Sequence, residues 1–152
     1  IQQVFEVMAA TPRHSYQVLT KRSLRLRRLA PKLSWPDNVW MGVSVENAKA
    51  LHRVDHLRDV PAAVRFLSCE PLLGPLTRLR LDGISWVITG GESGLASRPV
   101  NVDWVREIRD NCQRSGVAFF HKQWGGRTPK TNGRELDGRT WDEFPQQIGA
   151  ES

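Results

Sequence analysis

Residues 84–94, ISWVITGGESG, run from a short apolar segment directly into a glycine-rich turn. Trp86, Val87 and Ile88 show no polar alternation, which is typical of a strand covered on both faces in a parallel sheet. The strand's predicted carboxyl end carries four glycine or polar residues: Gly90, Gly91, Glu92 and Ser93. Because α/β folds bind ligands at that end, the turn is a candidate binding loop, although an ordinary strand-to-helix loop has the same composition.

The same arrangement recurs along the chain: a short apolar strand ends in polar residues, and helical periodicity follows. Strands are also predicted at residues 15–19, 39–45, 64–67 and 117–120, and helices at residues 1–10, 24–33, 48–58 and about 103–115. Residues 72–81 are poorly periodic and predict an irregular crossover. This alternation of about five strands with helices predicts an α/β fold, either a (β/α) barrel or a doubly wound sheet.

Right-handed crossovers between parallel strands bring the polar strand ends to one edge of the sheet. The candidate ligand-binding residues at this rim are Lys21, Arg22, Ser44, Glu46, Glu70, Gly90, Gly91, Glu92, Ser93, Lys122 and Gln123. Carboxylates and cations around a glycine-lined mouth suit a zwitterionic ligand or a metal, and they equally suit ion pairs that neutralise one another. The three carboxylates are expected to pair with Lys21 or Lys122. No catalytic residue is assigned.

Composition predicts one soluble globular domain of 152 residues, 39% of them hydrophobic and 25% charged. No run approaches the roughly 18 apolar residues of a membrane span, so no membrane partner is expected. The two cysteines, Cys69 and Cys112, lack metal-like spacing and argue against a disulfide framework or a zinc site. Only Cys69 is expected near the rim. A reducing, cytoplasmic setting follows.

The net charge of +6 and the pI near 10 make an anionic partner conceivable. Basic residues concentrate in residues 21–32 and 127–139. Such clusters are more typical of a solvated helix face than of a nucleic-acid groove, and nucleic-acid binding stays an alternative. The predicted organisation is a partial barrel over residues 1–126 and a basic, Pro/Gly-rich tail over residues 127–152, in which Trp141 and Phe144 are candidate anchors.

Six segments together resemble one family: YQVLTKR, NVWMGVSVEN, VRFLSCEPLLGPL, WVITGGESG, FFHKQWGG and GRELDGRTWDEFP. They resemble, in order, the carboxy-terminal part of an uncharacterised bacterial and phage-associated family whose barrel is similar to that of radical S-adenosylmethionine proteins. The resemblance implies an S-adenosylmethionine site on the rim, opposite a [4Fe–4S] cluster held by upstream cysteines. It further implies that the chain forms roughly the last five of the eight βα units of a (β/α)8 TIM-type barrel. In that site Lys21 or Arg22 would meet the ligand's carboxylate or ribose, the strand end Gly42–Ser44–Glu46 its ribose or adenine, and Glu92 an amino group or a substrate donor.

Three functions follow as expectations. In the first, the chain is the carboxy-terminal portion of a radical-SAM-like enzyme and is inactive alone, because neither cysteine supplies a cluster. In the second, it binds nucleic acid through its basic helix and tail. In the third, it is a structural remnant without activity. An incomplete barrel leaves two open sheet edges and an uncovered inner face, so self-association is also expected.

Overall fold

Five short apolar segments form one sheet: β1 (Tyr16–Thr20), β2 (Val39–Ser44), β3 (Arg65–Cys69), β4 (Trp86–Gly90) and β5 (Ala118–Gln123). The structure is a computed structural model that describes residues 1–145. All pairings are parallel, and the strands lie in the order of the chain. The predicted α/β fold with a five-stranded parallel sheet is therefore confirmed. Over the described residues the sheet stays open, since β1 and β5 are not paired with each other.

Four α-helices accompany the strands: α1 (Gln2–Ala9), α2 (Ser23–Leu29), α3 (His52–Arg58) and α4 (Val102–Ser115). The helix predicted at residues 24–33 stops early, because Pro31 has no N–H for the helical ladder and the chain tightens into a 3-10 turn, Ala30–Lys32. The helix predicted at residues 48–58 likewise begins with a 3-10 turn, Ala48–Ala50. Residues 72–81 contain neither helix nor strand, as predicted.

The main hydrophobic core lies between the sheet and its helices. Val43, Leu67 and Val87 from three adjacent strands are fully buried and belong to the same cluster as Leu57 of α3 and Ile108 of α4. Every residue of β2 is buried, which explains the absence of polar alternation in its sequence. α4 is fixed at both ends: the Asn101 side chain accepts the Asp103 N–H (2.8 Å), and Gly116 ends the helix at φ 65°.

The opposite face of the sheet is covered by its own aromatic side chains. Trp40, Phe66 and Trp86 form a buried cluster on this face. The Phe66 ring lies over Gly42, where a Cβ would approach ring atoms within 2.4 Å. Phe144 packs against Trp86 at a ring-centroid distance of 5.0 Å. The expectation of an uncovered inner face is therefore wrong where the rings of β2, β3 and β4 lie, but it holds at β1, where Gln17 and Leu19 of the same face are exposed.

Residues 141–143 run along the outer edge of β5. The His121 N–H donates to the Trp141 carbonyl (2.9 Å), and the Glu143 N–H donates to the Phe119 carbonyl (3.1 Å). Leu136, from the same part of the chain, is 1% exposed and lies in the main core. The predicted carboxy-terminal tail thus contacts the body of the fold over its described part, while the boundary at residue 126 stays a prediction and residues 146–152 lie outside the described residues.

Trp141 anchors this segment. Its ring lies between the guanidinium groups of Arg139 (4.0 Å) and Arg109 (5.4 Å). It also meets Phe119 edge-on at 5.8 Å, and its indole N–H donates to the Leu136 carbonyl (3.1 Å). Apolar contact, two cation–π contacts and a hydrogen bond therefore converge on one side chain.

Replacing Trp141 by Ala should lower the free energy of unfolding by about 2–4 kcal/mol, because it removes most of these contacts from a half-buried ring. Urea unfolding followed by circular dichroism measures the change. Leu95→Ala is the matched control, since Leu95 is 89% exposed and should change stability by less than about 0.5 kcal/mol. Equal stability of the two variants would mean that residues 136–144 do not pack against the sheet.

Candidate functional site

Two adjoining cavities open at the carboxyl ends of the strands, each of about 540 Å³. The first, here called the acidic cavity, has three charged lining residues: Glu70, Glu92 and Lys122. The second, the basic cavity, has six: Lys21, Glu46, Lys49, Arg53, Glu92 and Arg98. Glu92 and Pro71 line both cavities. The polar strand ends therefore converge on one rim, as expected from parallel strands.

Glu46, just beyond β2, accepts two cations in the basic cavity. Lys21 Nζ lies 2.7 Å from one carboxylate oxygen, and Arg53 Nη1 lies 3.0 Å from the other. Arg53 also donates to the Ser44 carbonyl (2.8 Å), which fixes α3 against the end of β2. Burial raises the pKa of Glu46, but the Lys21 hydrogen bond and the Arg53 charge outweigh burial and leave the pKa below its ordinary value. Glu46 is therefore a carboxylate at neutral pH.

Glu70, at the end of β3, pairs with residues of β5 across the sheet. Lys122 Nζ lies 3.1 Å from both carboxylate oxygens, and the Gln123 side-chain amide donates to one of them (2.8 Å). The expected pairing of rim carboxylates with Lys21 and Lys122 is confirmed for Glu46 and Glu70.

Glu92 has a different partner. Arg98 Nη2 donates to one carboxylate oxygen of Glu92 and Arg98 Nε to the other, both at 2.9 Å. The Arg98 backbone N–H donates to the second oxygen as well, also at 2.9 Å. These contacts lower the pKa of Glu92 to about 2. Sequence reasoning missed Arg98, because no helical or strand spacing links positions 92 and 98. It also missed Arg53, whose long side chain reaches the rim from inside α3.

Eight of the eleven predicted rim residues line the two cavities: Lys21, Glu46, Glu70, Gly91, Glu92, Ser93, Lys122 and Gln123. The remaining three lie elsewhere. Arg22 lines an apolar groove near α1 and α2, because its side chain leaves the chain on the other side from Lys21. Ser44 is buried, and Gly90 is also buried and accepts the Leu72 N–H (2.9 Å) through its carbonyl. Ligand binding by any of the eleven stays a prediction.

Backbone contacts join the loops that follow β4 and β5. The Gly126 N–H donates to the Glu92 carbonyl (2.9 Å), and the Gly94 N–H donates to the Gly126 carbonyl (2.9 Å). At Gly91 a Cβ would lie 1.8 Å from the Trp124 carbonyl oxygen. Only glycine fits there, so the glycine-rich sequence serves close approach of two backbones. The result is a paired loop that holds Glu92 between the cavities.

His121, also from the end of β5, lies inside the fold. It is fully buried and shares a hydrogen bond with Thr89 Oγ1 (2.9 Å). Its ring centroid lies 4.4 Å from that of Trp124, with the two ring planes tilted by 54°. Its Nε2 has no hydrogen-bond partner among the described residues. Burial, followed by the charge of Arg134, lowers the pKa of His121 to about 4. The imidazole is therefore neutral near pH 7 and takes no part in the rim.

Both thiols are free and buried in the main core. Burial raises the pKa of Cys112 to about 12 and raises that of Cys69 as well, so neither supplies a thiolate near neutral pH. Cys69 ends β3 directly before the rim residue Glu70, as expected, but its side chain is buried in the main core. Residues 1–145 contain no group of three His, Cys, Asp or Glu side chains placed to hold one metal ion.

The family described as Protein of unknown function (DUF5131) matches residues 1–145. The chain belongs to the DUF5131 family. No curated protein and no solved structure matches it. The match spans every described residue, so the rim, the paired loops and the segment packed on β5 all belong to the DUF5131 domain. None of the helices described in this domain is long and apolar enough to cross a membrane.

Replacing Gly91 by Ala in the DUF5131 domain should cost about 3 kcal/mol of stability or more, because the added methyl overlaps a backbone carbonyl that cannot rotate away. Thermal or urea unfolding measures the loss. The matched control is Gly74→Ala, whose Cβ would lie 3.3 Å from the Asn47 Cβ and 4.0 Å from its Cα, without overlapping either, and which should cost less than about 1 kcal/mol. Equal stability of the two variants would contradict the close contact of the two loops.

His121 predicts a pH dependence of folding. The unfolded chain binds the histidine proton near pH 6.5, whereas the folded domain binds it near pH 4, so protons favour the unfolded state between these values. The free energy of unfolding should fall by about 3 kcal/mol from pH 7 to pH 4. Urea titrations at half-unit pH steps test this. His121→Gln should flatten the dependence between pH 6.5 and 4.5, and an unchanged slope in that variant would contradict the buried, neutral imidazole.

Proposed function

We propose that the rim of the DUF5131 domain binds a small zwitterionic ligand where the two cavities adjoin, with its anionic group toward the basic cavity and its cationic group toward the acidic cavity. The observation that carries the proposal is the charge of the two cavities. Four cations face two carboxylates in the basic cavity, whereas two carboxylates face one cation in the acidic cavity, and Glu92 counts in both. A ligand spanning the shared wall therefore meets complementary potential at each end.

The rim ion pairs are compatible with ligand exchange. The side chains of Lys122 and Arg98 are 54% and 63% exposed, so either cation can swing toward water while its glutamate turns to a ligand amino group. Exposed pairs of this kind contribute little to stability, which keeps such a rearrangement inexpensive. Lys49 lines the basic cavity and forms no ion pair within residues 1–145, so it is a ready partner for a carboxylate.

S-adenosylmethionine is the ligand we propose, because it carries a carboxylate and an ammonium group and because the sequence resembles radical-SAM-like proteins. In this proposal the domain is the carboxy-terminal part of such a protein, of bacterial or phage origin and cytoplasmic, and its strands form part of a (β/α)8 barrel. Support comes from the strand order, which follows the chain as barrel strands do and lacks the reversal found in a doubly wound sheet. Lys21 and Lys49 would hold the ligand's carboxylate, and Glu70 its ammonium.

An iron–sulfur cluster does not fit the donors of these residues. Cluster ligation takes several thiolates, whereas Cys69 and Cys112 are buried in apolar surroundings with raised pKa values. We therefore propose that this chain binds the ligand and does not by itself cleave it. Nucleic-acid binding through the basic helix, and a structural role without activity, are the alternatives that remain if the rim binds nothing.

Isothermal titration with S-adenosylmethionine tests the proposal. Glu70→Gln should weaken binding about tenfold, because the acidic cavity loses one of its two carboxylates. A tenfold loss of affinity corresponds to the free energy of about one charge-assisted hydrogen bond. Lys49→Met should weaken binding by a similar factor, because the ligand's carboxylate loses one of its cationic partners.

The matched control is Asp82→Asn, which makes the same kind of change in an exposed ion pair with Arg80 before β4, at the opposite end of the sheet. Its affinity should equal that of the unmodified domain. Absence of binding at millimolar ligand, or equal losses in Asp82→Asn and Glu70→Gln, would refute the proposed site.

A further inference from the structure

Two histidines on α3 lie one helical turn apart. His52 and His56 belong to the sequence HRVDH, and side chains four residues apart on a helix project from the same face. Their ring centroids lie 5.6 Å apart, with the ring planes at 75°. Histidines at this spacing are the arrangement by which a helix presents two imidazoles to one zinc ion. Neither ring lines the rim cavities or belongs to the main core.

Hydrogen bonds hold the same nitrogen of each ring. His52 Nδ1 lies 2.9 Å from the Lys49 carbonyl, and because a carbonyl can only accept, this nitrogen carries the proton of the neutral ring. His56 Nδ1 lies 2.9 Å from Ser23 Oγ, which can accept in the same way. The lone pair of each imidazole is then on Nε2, free to bind a metal ion. Within residues 1–145 neither Nε2 has a hydrogen-bond partner.

The two partners orient the rings from different elements. Lys49 belongs to the 3-10 turn before α3, whereas Ser23 is the first residue of α2 and is buried. The half-buried His56 is therefore held between two helices, while His52 is exposed. Edge-to-face packing accounts for the contact of the rings but requires neither Nδ1 hydrogen bond. Metal-binding histidines have this second feature, because their other ring N–H donates to an oxygen that orients the ring.

The separation of the rings suits one ion. Two imidazoles bound to a tetrahedral ion at a metal–nitrogen distance of about 2 Å place their centroids roughly 5 Å apart. The observed 5.6 Å is close to this value, so a small rotation of the exposed His52 side chain brings both Nε2 atoms to one ion. Both arginines of α3 are paired, Arg53 with Glu46 and Arg58 with Asp55. The helix itself therefore adds little positive charge that would repel an ion.

We propose that His52 and His56 bind one divalent transition-metal ion of the class of Zn²⁺, Ni²⁺ and Cu²⁺ through their Nε2 atoms. Imidazole suits these ions, whereas Mg²⁺ and Ca²⁺ prefer oxygen ligands. Over the described part of the chain no third His, Cys, Asp or Glu completes the set, so water takes the remaining positions. The ion links the turn at Lys49 to α3 and, through Ser23, to α2. This inference is independent of ligand binding at the rim.

The test is isothermal titration of the untagged full chain with zinc chloride and with nickel chloride near neutral pH. Saturable binding of one ion per chain is expected, and magnesium chloride should give none. His52→Asn and His56→Asn should each weaken zinc binding at least about tenfold, because asparagine keeps an N–H close to the position of Nδ1 but has no atom at that of Nε2. His14→Asn is the matched control, since His14 is exposed and lies outside α3. Its affinity should equal that of the unmodified chain.

Ser23→Ala tests the orientation of the His56 ring. It removes the hydroxyl at Nδ1 and leaves both metal ligands in place, so zinc binding should weaken about tenfold, the usual effect of losing such a hydrogen bond. An unchanged affinity would contradict the oriented pair. Circular dichroism checks that each variant is folded.

Long-range ¹H–¹⁵N NMR of the histidine rings in the unmodified chain gives a readout that needs no variant. The Nε2 resonances of His52 and His56 should shift together as zinc is added, while those of the buried His121 stay unchanged.

Three further results would overturn the proposal: no saturable binding of zinc or nickel up to about 1 mM ion, equal affinities of His14→Asn and His52→Asn, or a zinc-dependent shift of only one of the two Nε2 atoms. In the last case a single surface imidazole would contact the ion, and the pair would be only an aromatic contact.

Discussion

The parallel ladder of the sheet is the constraint on which the rest of the structure depends. With every strand running in one direction and in chain order, each turn after a strand returns to the same edge. Glu46, Glu70 and Glu92 are far apart in sequence but become neighbours around one rim for this reason. Cations from other turns and from α3 then pair with these carboxylates and neutralise part of their charge, which offsets the repulsion between three neighbouring anions.

Backbone contacts also explain why the loops after β4 and β5 are joined, whereas other parts of the rim stay open. Contact between Gly91 and the Trp124 carbonyl joins the loops after β4 and β5 and fixes Glu92 between the two cavities. The edge of β5 is closed by residues 141–143, and aromatic rings cover the sheet face away from the helices. The β1 edge has no such cover among the described residues. Within the described residues, the sheet is therefore covered at the β5 edge and left unpaired at the β1 edge.

Much of this architecture is readable from sequence, because buried parallel strands are continuous apolar runs and the residues after them are polar. The runs at Val39–Ser44 and Trp86–Gly90 predict their own strands and the cavity-lining residues that follow them: Glu46, Gly91, Glu92 and Ser93. The same reasoning does not find long side chains that reach the rim from other elements. Arg53 and Arg98 reach their glutamates from a helix and a loop, and no local spacing reports how far a guanidinium extends.

Contacts that depend on tertiary packing were also beyond sequence reasoning. The segment around Leu136 has no periodicity, so the place of Leu136 in the core was not predicted. Trp141 was a predicted anchor of this segment, but its contacts with Arg109 and Arg139 were not predicted. Arg22 follows Lys21 directly, but the two side chains leave the strand end in different directions and only one reaches the rim. The resemblance places Gly42 near the ligand's ribose or adenine, whereas in the structure Gly42 provides the space that the Phe66 ring fills.

The central claim is that one ligand uses both oppositely charged cavities, and the most direct measurement compares S-adenosylmethionine with its decarboxylated analogue by isothermal titration. The analogue keeps the ammonium group and the adenosine but lacks the carboxylate. If the basic cavity holds that carboxylate, the analogue binds at least about tenfold more weakly, and Lys49→Met removes most of the difference. Equal affinities for the two compounds would contradict the claim, because the basic cavity would then contribute nothing to recognition.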